Sequence, residues 1–256
     1  MRLRMIIKRI PLAKPTYRGL RHIGRKIDKW MQLTSKVKSM PLTKPIYEFF
    51  HDTRRADVFE QAFCANVWGG RESRSGPGSD LQQARVIMAE LPKLISEFGF
   101  TTLLDIPCGD FHWMQHVDLG QVHYIGGDIV SALIAMNQER YGSEIREFRL
   151  LDVTEDKLPR VDLILCRDCL VHLSYRLVRK ALANIKRSGS HYLLTTTFPG
   201  LEKNSEVSTG GWRPLNLSAP PFDFPLPLRL INEQCPEERY RDKSLGLWTL
   251  DSIPYF

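Results

Sequence analysis

The chain has 256 residues, 43% hydrophobic and 25% charged, with 17 Gly and 16 Pro, which excludes a disordered, collagenous or disulfide-stapled miniature protein and leaves room for one sizeable core. Its formal charge of +7 is concentrated: residues 1–45 carry 13 Lys and Arg against one acid, Asp28, leaving 23 basic and 28 acidic residues in 46–256. That body, at −5, has no field of its own for drawing in polyanions, so nucleic acid is not its expected partner.

Residues 1–45, broken by Pro11, Pro15 and Pro41, read as a basic flexible arm, either a solvated tail or a peripheral contact with an anionic membrane; an organelle transit peptide is a weaker third reading. No run of 18 apolar residues occurs and the start has too short an apolar stretch for a secretory signal, so the expected location is cytoplasmic, with the arm reaching a membrane surface. Five cysteines, an odd number, then favour reduced thiols.

Residues 46–256 read as a single domain. Leu81, Ala84, Ile87, Met88, Leu91, Leu94 and Ile95 recur at spacings of three and four, predicting a helix interrupted at Pro92 and ended by Gly99. The chain then alternates: strand 101–106, a short helix in HWMQHV, strand 122–129, helix 131–142, strands 145–153 and 161–166, amphipathic helix 175–189 and strand 191–198. Such alternation implies a doubly wound α/β domain, its sheet mainly parallel with helices on both faces. Residues 199–229, rich in Pro with Trp212, Phe222 and Phe224, read as an ordered loop on the substrate side, followed by two terminal strands.

The chemistry concentrates in LLDIPCGDFHWM (103–114) and GGDIV (126–130), where both strand ends carry an acid. Ligands of doubly wound sheets bind beyond the carboxyl ends of the strands, and Asp128, 19 residues after Gly109, is spaced to take a ribose hydroxyl pair. The turn lacks the third glycine of a dinucleotide loop, and acids at Asp105 and Asp110 repel phosphate but suit a cationic ligand bearing an ammonium and a sulfonium, such as S-adenosylmethionine.

These pieces, in this order, resemble class I S-adenosylmethionine-dependent methyltransferases from about Trp68 to the last strand, with Pro107 and Phe111 replacing two glycines of the first motif. The resemblance implies a seven-stranded Rossmann-like methyltransferase fold. It places Asp105, Pro107 and Gly109 at the methionine end, Asp128 on the ribose, Ile129 on the adenine, and Asp152 with Val153 along the adenine edge. WGGRESRSGPGSD (68–80) resembles the leader of an uncharacterised branch and would cover the cofactor through Gly76, Gly78 and Ser79, with Arg71 meeting a carboxylate; a surface turn is the plainer reading.

Methyl transfer needs in-line positioning and removal of a proton from the acceptor. CRDCLVHLS (166–174) offers Arg167, Asp168 and His172 where that base should sit, with His172 or Asp168 the catalytic candidates and Arg167 grouped with the cofactor contacts. Trp212, Arg213 and Asn216 are the substrate-contact candidates. No metal is expected: Cys166 and Cys169 have no second pair, and His112 and His116 lack an HExxH context. The expected activity is methyl transfer to a small-molecule or glycan acceptor. A non-catalytic scaffold and an NAD-dependent oxidoreductase are the alternatives.

Overall fold

The computed structural model describes Asp52 and residues 54–256; the basic arm expected over 1–45 lies outside the described residues. Within the unit from Phe50 to Phe256, the elements are α1 (Arg55–Cys64), α2 (Leu81–Phe98), β1 (Thr102–Asp105), β2 (His123–Asp128), α3 (Ser131–Tyr141), β3 (Arg146–Leu150), β4 (Leu163–Cys166), α4 (Tyr175–Arg187), β5 (Tyr192–Thr197), β6 (Arg229–Asn232) and β7 (Ser244–Thr249). The strands form one seven-stranded sheet in the order β3-β2-β1-β4-β5-β7-β6. β1 to β5 are parallel, and β7 runs antiparallel between β5 and β6.

Alternation along the strands divides the core between two faces. Leu103, Leu163, Leu165 and Leu194 join α2 and α3, whereas Leu104, Ile164, Cys166 and Leu193 join α4, as a period of two requires. α4 is the strongest amphipath, burying Leu177, Val178, Ala181, Leu182 and Ile185. Ser174 caps it by accepting a hydrogen bond from the Leu177 N–H, and Lys186 and Arg187 lie at the negative end of its dipole.

Three expectations are corrected. α2 passes through Pro92 without a break; Ala84, Ile87, Leu91, Leu94 and Ile95 are buried on both sides of it and offset the roughly 3 kcal/mol that an internal proline costs. Its end at Gly99, φ +67°, is as expected. HWMQHV forms only a 3-10 turn at Met114–His116. β3 stops at Leu150 rather than 153 because the Asp152 carboxylate accepts from the Thr154 N–H and hydroxyl, at 2.8 and 2.7 Å, and turns the chain.

Residues 199–228 contain no helix or strand and are tied internally by two buried amides. Asn204 Nδ2 donates to the carbonyls of Asn216, Ala219 and Pro220, and Asn216 Nδ2 to those of Pro199 and Leu201. Among the described residues no helix is long and apolar enough to cross a membrane.

Gly126 on β2 faces Phe148 on β3, and a Cβ there would lie 2.6 Å from the Phe148 ring. Phe148 is wedged against Phe111 and Tyr124. Gly126→Ala should lower stability by about 1–3 kcal/mol, read as a drop in the urea midpoint with an unchanged slope; an unchanged midpoint would show that the ring can move aside.

Candidate functional site

Beyond the carboxyl ends of β1, β2 and β4 lies a cleft of about 1020 Å³, its open mouth included. Asp105 closes one side of it. Its carboxylate accepts from the Tyr124 hydroxyl at 2.7 Å, yet burial pushes its pKa up to about 7, outweighing that bond and the nearby Arg167. Asp128 accepts from the N–H groups of Val130 at 3.0 Å and Gly109 at 3.2 Å. Burial again prevails, and its pKa rises to about 6. Two desolvated acids therefore share one cleft.

The turn between them is fixed in place. Gly109 has φ +55°, and a Cβ on it would lie 2.6 Å from Ser75 Oγ, so both conformation and space call for glycine. Asn137, fully buried, donates to the Gly109 carbonyl at 2.8 Å. Asp110 does not face a ligand, contrary to expectation: it accepts from Ser73 Oγ at 2.8 Å and from the Arg74 N–H at 3.1 Å, while its own N–H donates to Ser75 Oγ at 3.0 Å. These bonds staple the 68–80 leader over the turn. Arg71 in that leader is exposed and lines neither this cleft nor its neighbour.

At the end of β4 four charged groups are gathered. Arg167, buried over the face of Trp113, donates to Glu233 at 2.6 Å, and Lys243 reaches Asp168 at 2.6 Å and Glu233 at 3.0 Å. Two cations meet two anions, which is what makes the burial tolerable. Burial alone would raise the Asp168 carboxyl, but Lys243 and Arg167 outweigh it and hold its pKa well below the usual carboxylate range. A carboxylate so stabilised is a weak base. Of the two catalytic candidates, His172 fits better. Its Nδ1 lies 2.6 Å from the Gly211 carbonyl, so Nδ1 carries the proton and Nε2 is left as acceptor. Desolvation lowers its pKa, outweighing Gly211 and Asp168, so the ring stays neutral at physiological pH.

The structure brings Asp105, Pro107, Gly109 and Asp128 together on the cleft wall with Ile129, Asp152, Val153, Arg167, Asp168, His172 and Ser79. Asp152 also takes an ion pair from Arg55 at 2.5 Å. Gly76 and Trp212 line an adjoining cavity of about 950 Å³, which shares Trp68, Ser75, Ser79, Asp168 and His172 with the first. Two substrate candidates are corrected. Arg213 is buried and donates to the carbonyls of Leu170, Leu173 and Ser205, and Asn216 is spent on the 199–228 loop, so neither lines these two cavities. His112 and His116 stand 6.4 Å apart, ring to ring, and among the described residues no three His, Cys, Asp or Glu side chains gather at metal-binding distances.

Sequence reasoning passed over α1. Arg55, Phe59 and Phe63 wall the cleft beside Trp68 of the leader, and the only sequence signal of α1 is the four-residue spacing of Phe59 and Phe63. Glu233 and Lys243 were also missed; they meet β4 across 66 and 75 residues of chain.

No protein-family model and no curated protein matches the sequence. Solved structures do. The Burkholderia thailandensis 1,6-didemethyltoxoflavin N1-methyltransferase, crystallised with its 1,6-didemethyltoxoflavin and S-adenosylhomocysteine, aligns over 77% of this chain and 89% of its own, with TM-score 0.54 and 18% identity. The chain has the class I methyltransferase fold. Looser similarities include the N-methyltransferase NodS from Bradyrhizobium japonicum (TM-score 0.40, 16% identity, 45% of this chain and 62% of that one) and the [4+2]-cyclase SpnF (TM-score 0.35, 21% identity, 42% and 44%). The chain thus spans less than two thirds of either of these two.

Lys243→Met should leave Asp168 and Glu233 with one cation between them and cost about 3–5 kcal/mol of stability. Chemical denaturation at pH 7 measures it, and a loss under 1 kcal/mol would mean that Arg167 alone compensates both acids.

Proposed function

We propose that this chain is an S-adenosylmethionine-dependent methyltransferase acting on a small-molecule or glycan acceptor. The observation that carries the reading is the pair of buried acids, Asp105 and Asp128, flanking Gly109 at the ends of neighbouring strands. Burial raises both pKa values, and a ligand bearing an ammonium and a sulfonium would stabilise the two desolvated carboxylates. The residues fit that group: Asp128 would take the ribose hydroxyls, Ile129 and Val153 the adenine, and Asp105 the methionine end. When bound, the cofactor supplies a methyl carbon already activated by its sulfonium. The bacterial N1-methyltransferase, with S-adenosylhomocysteine in its crystal, supports this choice.

What remains for the chain is orientation, exclusion of water and removal of one proton. Trp68 and the stapled leader wall both cavities, and His172 stands between them with Nε2 able to accept. Arg167 serves the cleft indirectly, by holding Glu233 and stabilising the Asp105 carboxylate. The charge of residues 1–45 supports a further role for the arm, holding the enzyme at an anionic membrane surface. Deleting the arm should leave the melting temperature unchanged and abolish low-salt binding to phosphatidylserine vesicles; unchanged vesicle binding would remove that role.

Calorimetric titration with S-adenosylmethionine, S-adenosylhomocysteine and NAD tests the cofactor. Asp128→Ala should weaken binding of both adenosyl ligands by roughly 1.5–3 kcal/mol, tenfold or more, and binding of NAD alone would overturn the reading. The pH dependence has a definite sign. A cationic ligand favours the carboxylate forms of Asp105 and Asp128, so binding lowers their pKa values, releases protons near pH 6, and tightens as pH rises from about 5.5 to 7.5. Titration in buffers of different ionisation enthalpy counts those protons, and net uptake would contradict the assignment.

A further inference from the structure

The second cavity has a wall chemistry of its own. Every charged side chain on it faces an opposite charge: Lys243 is paired with Asp168 and Glu233, and Arg239 with Glu237 at 3.4 Å. Arg239 and Glu237 are both exposed, and the Arg239 guanidinium lies over the Tyr240 ring; the buried cation, Lys243, is already held by two carboxylates, so a charged acceptor finds no free buried counter-charge on this wall. Beside the leader residues Ser75 to Ser79, Gln83 and Cys235, the wall carries a cluster of aromatic rings. Trp212, 40% exposed, packs edge-on to Tyr240 at 4.7 Å, and Phe198 backs both at 6.1 and 6.0 Å. Large flat rings with exposed edges offer stacking area to another ring. His172 belongs to this wall and to the cofactor cleft alike.

From this arrangement we propose that the acceptor is a neutral small molecule with an aromatic ring, stacked near Trp212 and Tyr240, that presents a phenolic hydroxyl to His172. The proposal rests on the methyltransferase reading and narrows it. Acidity decides between a phenol and a sugar hydroxyl. A phenol ionises near 10 and water near 15.7, so a neutral imidazole takes a proton from a phenol far more readily than from a water-like hydroxyl. In the transfer, the phenol oxygen gives its proton to His172 Nε2 and a lone pair to the methyl carbon. The C–S bonding pair stays on sulfur, so an aryl methyl ether, a thioether and an imidazolium result, and the imidazolium returns its proton to solvent.

Calorimetry at saturating S-adenosylhomocysteine, with 2-naphthol, 6-hydroxy-2-naphthoate and decahydro-2-naphthol as probes, tests this. The proposal expects 2-naphthol to bind at least tenfold tighter than the other two. Trp212→Ala should weaken that binding tenfold or more with S-adenosylhomocysteine affinity intact, and Trp212→Phe should restore most of it. With S-adenosylmethionine, mass spectrometry should find the naphthyl methyl ether, reduced at least a hundredfold in His172→Gln even at saturating 2-naphthol. Equal binding of the carboxylate or the saturated alcohol, or insensitivity to Trp212→Ala, overturns the acceptor class while the cofactor assignment stands. Failure of S-adenosylhomocysteine to bind overturns the methyltransferase reading itself, and this proposal with it.

Discussion

Four charges that cancel one another, three buried and one half-buried, hold the working end of this molecule together. Arg167 and Asp168 leave β4, Glu233 follows β6 and Lys243 precedes β7, so their pairing fastens the centre of the sheet to its antiparallel edge. Removing such groups from water is repaid only when each finds its partner, which fixes where the last two strands can sit. The same pairing makes Asp168 a permanent carboxylate and keeps Lys243 from acting as a free cation. The second cavity is neutral for that reason.

A second set of polar contacts brings the N-terminal side to the same place. The Asp52 carboxylate, buried, accepts from Ser174 at the cap of α4, from Thr209 in the 199–228 loop and from Arg176. Arg55 reaches Asp152 and Glu155. Thus α1, which contributes no strand pairing, is seated by ion pairs so that Phe59 and Phe63 fall on the cleft. Segments far apart in sequence thus meet beyond the carboxyl ends of the strands.

Where local pattern decides structure, the sequence was legible. The short strand-forming runs LILC and YLLTTT and the amphipathic face of residues 175–187 predicted their elements within a few residues, and the acids at the ends of β1 and β2 line the cleft together. What escaped was decided by partners distant in sequence. Asp110 has the composition of a ligand-facing acid, but Ser73 and Arg74, about 36 residues earlier, claim it. Arg213 and Asn216 carry suitable chemistry for a substrate, but backbone carbonyls of the turn after β4 and of the 199–228 loop claim it first, as buried carbonyls must find donors somewhere. The choice between Asp168 and His172 needed Lys243, 75 residues away.

The leader is a partition held in common. Ser75 and Ser79 belong to the walls of both cavities, and the segment bearing them is fastened to Asp110 by a small number of hydrogen bonds, each worth about 1 kcal/mol net. A substitution that displaces this one segment therefore redraws the boundary of both cavities at once.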